Sequence, residues 1–339
     1  VRVSGYVIRF SAFLFLLAQL LSAQAPVVGD INFYGVHKLS VEKLQATLGV
    51  KPGDTLPPSK GDLEERLEGV AGVVLVNVTA VCCEGKNAML FVGIEEKGSP
   101  HFELHAEPAG DVPLPEGVEE VFLRFLDAVE DATRRGKTAE DLTAGHSLMA
   151  DPAARALQTQ FIELARKHAP KLREVLRNGS VADQRAIAAS ILGYFPRKSE
   201  VVSDLQYALQ DPDEAVRANA TRSLISIAVL AAKQPDLEIR IPATWFVEML
   251  NSVILSDRLR ASEALVTLTE SSPAALDQIR ERALPALIEM ARWKTLRYAV
   301  PAFVLVGRIA GLPEEEIHAA WEKGARESVI EHTLKPRRK

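Results

Sequence analysis

The sequence has little cysteine: two residues in 339, Cys82 and Cys83, and they are adjacent. That excludes a disulfide-stapled scaffold, and with no CxxC partner or suitably spaced histidine it gives no metal-site pattern. Neighbouring side chains of an extended strand point to opposite faces, so two free thiols are expected here and not a bridge. A surplus of positive charge is missing too. The formal net charge is -5, whereas a general nucleic-acid binder needs excess Lys and Arg to displace counterions. No nucleic-acid partner is therefore expected. The one concentrated basic cluster, residues 335–339 (Lys-Pro-Arg-Arg-Lys), reads as a solvated tail. No GxGxxG, GxxxxGK[ST] or GxSxG motif occurs, which removes the phosphate cradles and the strained nucleophile turn. No catalytic residue, cofactor or metal is expected.

What remains is ordinary globular material, 47% hydrophobic and 25% charged, enough to build a sizeable core. The first segment has the pattern of a targeting signal. Arg2 and Arg9 precede the apolar run Phe10 to Leu21, which is shorter than the roughly 20 residues of a membrane span. Small residues follow in Ala23-Gln24-Ala25. Residues 1–25 are expected to be a signal peptide, with the mature chain starting near Gln24 or Pro26. The expected location is exported and periplasmic. The alternative is an uncleaved anchor in the inner membrane facing the periplasm, the only case in which membrane contact is expected.

Residues 26–98 alternate strand and helix patterns. Val27 to Tyr34 reads as a strand ended by Gly35, and Ser40 is a good helix N-cap before Val41, Leu44 and Leu48, which share one face. Lys51-Pro52-Gly53-Asp54 is a breaker. A second helix is expected over Ser59 to Leu67, then a β-branched strand from Val73 to Val81 and its hairpin return from Ala88 to Glu95. Leu44, Leu48, Leu67, Val76 and Ile94 are the expected core. The order β-α-α-β-β resembles a POTRA domain, through the strand end Phe33-Tyr34-Gly35, the helix start Leu39-Ser40-Val41-Glu42-Lys43-Leu44, Val50-Lys51-Pro52-Gly53-Asp54, and Leu67-Glu68-Gly69-Val70 leading into the hairpin. The resemblance implies an edge strand able to add a partner strand by main-chain hydrogen bonds.

Residues 99–169 open with a Pro-, Gly- and acid-rich linker and continue as an acidic helical segment. One helix is expected over Val118 to Arg135, stopped by Gly136, and another from Asp151-Pro152. His101 and His105 sit in the linker, and His146 beside Ser147. Neither pair has the setting of a metal or nucleophilic site.

From residue 170 to 334 a signature recurs: Asp183 to Gly193, Asp213 to Leu224, Asp257 to Leu265, and a degenerate copy from Leu296. Arg185, Arg217, Arg260 and Arg297 recur about 30 to 45 residues apart, the scale of a two-helix solenoid unit. Apolar helices are expected before each signature, at Lys171–Arg177, Val201–Gln210, Trp245–Val253 and Ile279–Arg292. Asp211-Pro212-Asp213-Glu214-Ala215-Val216-Arg217-Ala218-Asn219-Ala220 resembles the turn and second helix of a HEAT (armadillo-like) repeat. One hairpin cannot bury both faces of its stripe, so neighbours must stack. Asp183, Arg185, Asp213, Arg217, Asp257, Arg260 and Arg297 are expected to be structural repeat positions. Trp245, Trp293 and Trp321 are expected as packing anchors.

The fold class expected is multidomain, α+β then all-α: a POTRA-like domain followed by a HEAT-type α-solenoid. The function expected is a non-enzymatic scaffold or adaptor binding protein partners of the cell envelope. A partner site would use residues that differ between repeats, such as Arg222, Glu263 and Arg308. Two alternatives are an accessory subunit or enzyme with its site in 100–170, and an envelope-assembly or division factor anchored by its N-terminus. The enzyme alternative requires His146, Asp151 and Glu140 to converge in one pocket.

Overall fold

A computed structural model describes residues 26–84 and 87–335. The expected signal segment and the tail beyond residue 335 lie outside the described residues.

The chain opens with β1 (Val27–Tyr34), α1 (Val41–Leu48), α2 (Gly61–Glu68), β2 (Val73–Glu84) and β3 (Asn87–Glu96). Ser40 caps α1 by accepting the Lys43 N–H at 3.2 Å. The sheet order is β1-β3-β2, with β1 parallel and β2 antiparallel to the central β3. One face buries Leu44, Leu48, Leu63, Leu67, Val76, Leu90, Val92 and Ile94 between sheet and helices. The run from Ala88 to Ile94 is buried without alternation. Such a strand is covered on both faces, and the second cover comes from the C-terminal half of the chain. One local expectation fails. Cys82 is disulfide-bonded and not a free thiol. The pleat argument assumed an unbroken strand, but the β2–β3 register shifts between Val81 and Glu84, which breaks the alternation of faces there.

Helix α3 (Val118–Arg134), a short hairpin of β4 (Glu140–Asp141) and β5 (Leu148–Met149), and α4 (Pro152–Asn178) come next. Helix α4 runs through the expected boundary at 169/170. Pro170 is exposed, as is Arg166, the residue whose carbonyl it leaves without a donor. The array continues as α5 (Ala182–Leu192), α6 (Val202–Ala208), α7 (Glu214–Lys233), α8 (Thr244–Met249), α9 (Leu255–Ser271), α10 (Pro273–Arg282), α11 (Leu284–Ala291), α12 (Leu296–Ala310), α13 (Glu314–Glu322) and α14 (Arg326–Leu334). The single helix expected over Ile279–Arg292 is two, broken at Ala283 just before Pro285, which has no N–H to continue the ladder. The long helices α5, α7, α9 and α12 pack successively on one another. The chain is thus a small mixed sheet followed by a helical solenoid.

Buried arginines tie one unit to the next. Arg185 donates to the Gly179 carbonyl six residues back and, through Nε and Nη2, to both oxygens of Asp211 at 2.8 and 2.9 Å. Arg217 repeats this with the Asp211 carbonyl and the Asp257 carboxylate. The third member is Arg258, on the Ser252 carbonyl and the Glu289 carboxylate. Arg260, two residues on, is half-buried and faces the groove described below. Fixing the third unit on the Asp257 carboxylate explains this: Asp257 serves the preceding unit, so its neighbour Arg258, not Arg260, has the six-residue spacing to the turn carbonyl. Arg297 is exposed and lies over the Tyr298 ring, outside the ladder. Asp213 is the N-cap of α7, accepting from Ala215 and Val216, and Asp183 is an exposed residue of the first turn of α5.

The turns of these units carry the N-terminal part of the chain. Gly110 pairs with Gly179, the His105 N–H bonds Gln210 O at 2.7 Å, and His105 stacks on Tyr207. The linker therefore runs as a strap along the turn edge of the array. The sheet docks farther along the same edge. Tyr34 donates its hydroxyl to Val253 O at 2.7 Å, and Tyr34 and Phe91 set their rings edge-on to Trp293. Gly93 is required there: a Cβ would lie 2.3 Å from Val253 O and 2.6 Å from the Tyr34 ring. The ladder ends in this contact, because Glu289 also accepts the Gly35 N–H at 3.0 Å.

Candidate functional site

Opposite the strap, the long helices of the array present residues that change from unit to unit. Ser190 of α5, Asn219, Arg222, Ser223 and Ser226 of α7, and Arg260 and Glu263 of α9 line two adjoining concavities. Helix α3 packs against α4 and α5 and, with the β4–β5 hairpin, closes the first concavity into a cavity of about 260 Å³. The amphipathic stripe of α3 supplies its apolar wall: Phe122, Phe125, Leu126 and Val129 recur at helical spacing on one face. Phe122 and Phe125 both pack on Phe161 of α4, which holds that wall in place.

The hairpin supplies polar groups. Its turn needs Gly145, which has φ +74°, and a Cβ there would meet Leu230 at 2.7 Å. That turn brings Glu140, His146 and Ser147 to the cavity. Ser147 Oγ donates to Glu140 Oε2 at 2.8 Å, and Glu140 also pairs with Arg222 of α7. Gln158 donates to Ser147 Oγ at 3.2 Å and to the Tyr194 hydroxyl at 3.0 Å, and Tyr194 donates to Ser147 O at 2.9 Å. Burial pushes the Tyr194 phenol up, so it stays neutral.

Behind His146 lies Lys198. Its Nζ donates to Gly193 O at 2.6 Å and meets His146 Nδ1 at 3.2 Å. Burial pushes Lys198 down to about 7. Burial first, and the Lys198 cation second, push His146 down to about 4. The imidazole is therefore neutral near pH 7.

Glu140 and His146 thus share one cavity. Asp151 does not join them. It is buried at the N-cap of α4, accepting from Ala153 at 3.1 Å, Ala154 at 3.3 Å and Arg135 at 3.0 Å. The Ser147 hydroxyl is committed to Glu140 and not to His146, so His146 has no hydrogen bond to it. Of the variable positions expected to meet a partner, Arg222 lines both concavities and Glu263 lines the second beside Arg260. In that recess burial raises the Glu263 carboxyl and Arg260 opposes the rise. Arg308 is different. It spans from α12 to α9, donating to Val266 O and to Thr269 Oγ1 at 2.7 Å, and reads as a tie between helices. Tyr194, Lys198 and Gln158 carried no sequence signal, because only the fold brings the first two to His146 and the third to Ser147.

Residues 169–239 match the family model of HEAT repeats. The matched stretch contains the first two ladder arginines, both helices that floor the cavity, and Arg222. HEAT repeats commonly mediate protein–protein interaction, and the family is generally a non-catalytic scaffold. No curated protein matches the chain.

Proposed function

We propose that this chain is a non-enzymatic scaffold of the bacterial cell envelope, exported to the periplasm, which binds a protein partner through the long-helix face of its HEAT array. The observation that carries the reading is a contrast between the two edges of the array. The turn edge repeats the same arginine contact and is covered by the chain's own strap and sheet. The long-helix face varies from unit to unit and stays open at Arg222, Arg260 and Glu263. A repeated contact serves the fold, and a varied, open surface serves recognition. The strand–helix–helix–hairpin order with β3 central supports the likeness of residues 26–98 to a POTRA domain. Its outer strand β2 exposes Val74 and Leu75 at an edge that can take a second strand.

The test places a photo-crosslinking residue at Arg260 or Glu263 in cells of the organism of origin, followed by separation of periplasm, membranes and cytoplasm. A discrete protein adduct in the periplasmic or membrane fraction is expected. An intact Phe10–Leu21 segment on a soluble cytoplasmic product, or no adduct from any position of the groove, refutes the reading.

A further inference from the structure

The cavity under α3 has two unlike walls, and they specify what can enter. On the array side three lining residues of α7 each have a hydrogen engaged. Ser223 Oγ donates to Ala189 O at 3.4 Å, Ser226 Oγ to Arg222 O at 3.0 Å, and Asn219 Nδ2 to Ala186 O at 2.9 Å. Each keeps acceptor capacity, in the hydroxyl lone pairs and the Asn219 carbonyl, and the Glu140 carboxylate lines the same cavity. Facing them is the ring and aliphatic wall of Phe122, Phe125 and Val129. A guest that satisfies both is flat and apolar with one N–H or O–H on its edge. Size narrows the choice further. At about 260 Å³ the space is at the small end of ligand pockets and has room for a single large side chain.

We propose that this cavity is an anchor pocket for one aromatic side chain bearing a hydrogen-bond donor, Trp or Tyr, presented by a basic segment of a partner protein. The inference rests on the scaffold reading above and names the partner's chemistry at its surface. Two observations point to a protein segment and not a free small molecule. The apolar surface does not stop at the mouth: Leu126 on its rim and Leu123 beside it are 46% and 51% exposed. A lone ring in the cavity would leave both uncovered, whereas residues flanking an anchor cover them, as at other interfaces where a buried aromatic is ringed by water-excluding contacts. The charge on the same helix has one dominant sign. Glu130 and Asp131 are paired with Arg134. Glu119, Glu120 and Asp127 are exposed and unpaired, against Arg124 alone, which favours Lys or Arg on either side of the anchor.

The probe is a fluorescein-labelled Lys-Lys-Trp-Lys-Lys peptide, titrated with the purified chain by fluorescence anisotropy. Replacing its Trp by Ala is expected to weaken binding by at least about tenfold, the cost of removing a buried anchor. Glu in place of Lys weakens it as well, by a margin that shrinks as salt is raised. On the protein, Leu126→Trp places a ring over the mouth from an exposed position and is expected to abolish binding. Leu123→Ser removes the apolar rim without adding charge or touching the cavity and is expected to weaken binding several-fold, and it carries the test if Leu126→Trp lowers the melting temperature. Equal binding of the Trp and Ala peptides overturns the proposal, since charge alone is then recognised. N-acetyltryptophanamide binding as tightly as the peptide, with Leu123→Ser without effect, overturns it in favour of a small-molecule site. Loss of all peptide binding while crosslinks from Arg260 persist refutes the pocket and spares the scaffold. Loss of both refutes both.

Discussion

Arg217→Ala is the sharpest test of how the array is held together. The side chain is 2% exposed. Its Nε and Nη2 reach the Asp257 carboxylate at 3.0 Å, and its Nη1 reaches Asp211 O and Pro212 O at 2.9 Å. Truncation therefore leaves a buried carboxylate and two carbonyls without their donor. Burial already pushes the Asp257 carboxyl up, and Arg217 is the main opposing influence. Breaking one half of a buried pair costs about 3–5 kcal/mol. Asp257 keeps the Ser252 hydroxyl at 2.8 Å, which favours the lower end, about 3 kcal/mol. For a chain of this size that lowers the melting temperature by about 4–5 °C. A second signature follows from linkage. Without Arg217, Asp257 folds with a pKa raised above its unfolded value, so the folded variant binds the extra proton and its deficit shrinks as pH falls toward about 4. Differential scanning fluorimetry and urea unfolding at two pH values read both effects. An unchanged melting temperature with lost partner binding would show that Arg217 recognises a ligand and that the ladder is not structural.

Four further outcomes are expected. Lys198→Met removes a base held down at about 7 against 10.5 in the unfolded chain. In that window the unfolded state binds more protons, so wild-type stability rises with pH and is lost as pH falls toward 7; urea midpoints from pH 7 to 10 should show this slope in the wild type and not in the variant. Gly93→Ala forces a Cβ against Val253 O and the Tyr34 ring and should cost about 1–3 kcal/mol, with amide exchange accelerated along β1 and β3 and unchanged in α5 and α7. Leu44→Ala empties a fully buried site between α1 and the sheet and should cost about 2–5 kcal/mol by chemical denaturation. A fragment of residues 26–98 uncovers Tyr34, Met89 and Phe91, so it should unfold cooperatively but bind a hydrophobic dye that the whole chain excludes; a fragment that ignores the dye would mean the sheet does not need its dock.

Local chemistry in the sequence reached the elements and stopped at their mutual arrangement. Ser40 and Asp151 were legible as caps because a cap is a matter of a few neighbouring residues, whereas Asp213 stood out only as a repeat position. The repeat spacing made the solenoid legible, and with it Arg185 and Arg217. Arg260 misled because the ladder is set by the distance from each arginine to its own turn carbonyl, and a two-residue shift is invisible when several arginines crowd one helix start. The cavity was legible only in part. His146 and Glu140 stood out by residue type, yet their partners Lys198, Tyr194 and Arg222 come from later helices, and nothing local encodes that meeting. The strap was hidden for a similar reason. A segment rich in Pro and Gly reads as a free connector until the carbonyls it binds, on Asn178 and Gln210, are placed beside it.

The dock between sheet and array also sets an order in time. Tyr34 and Val253 are separated by 219 residues. The sheet is complete only once β3 has been made, at Glu96; ribosomes add about 5–20 residues per second, so it exists for about 8–30 s before the turn that receives Tyr34 has been made. Throughout that interval Tyr34, Met89 and Phe91 form an exposed aromatic face on the part of the protein synthesised first. The strap cannot be laid down until the turns beneath it have formed, so the nascent chain depends on slow self-association or on a holding chaperone for longer than its small first domain alone would require. Substitutions that slow the closing of α8 onto α9 should therefore appear first as lower yield in the cell, ahead of any loss of stability in the finished molecule.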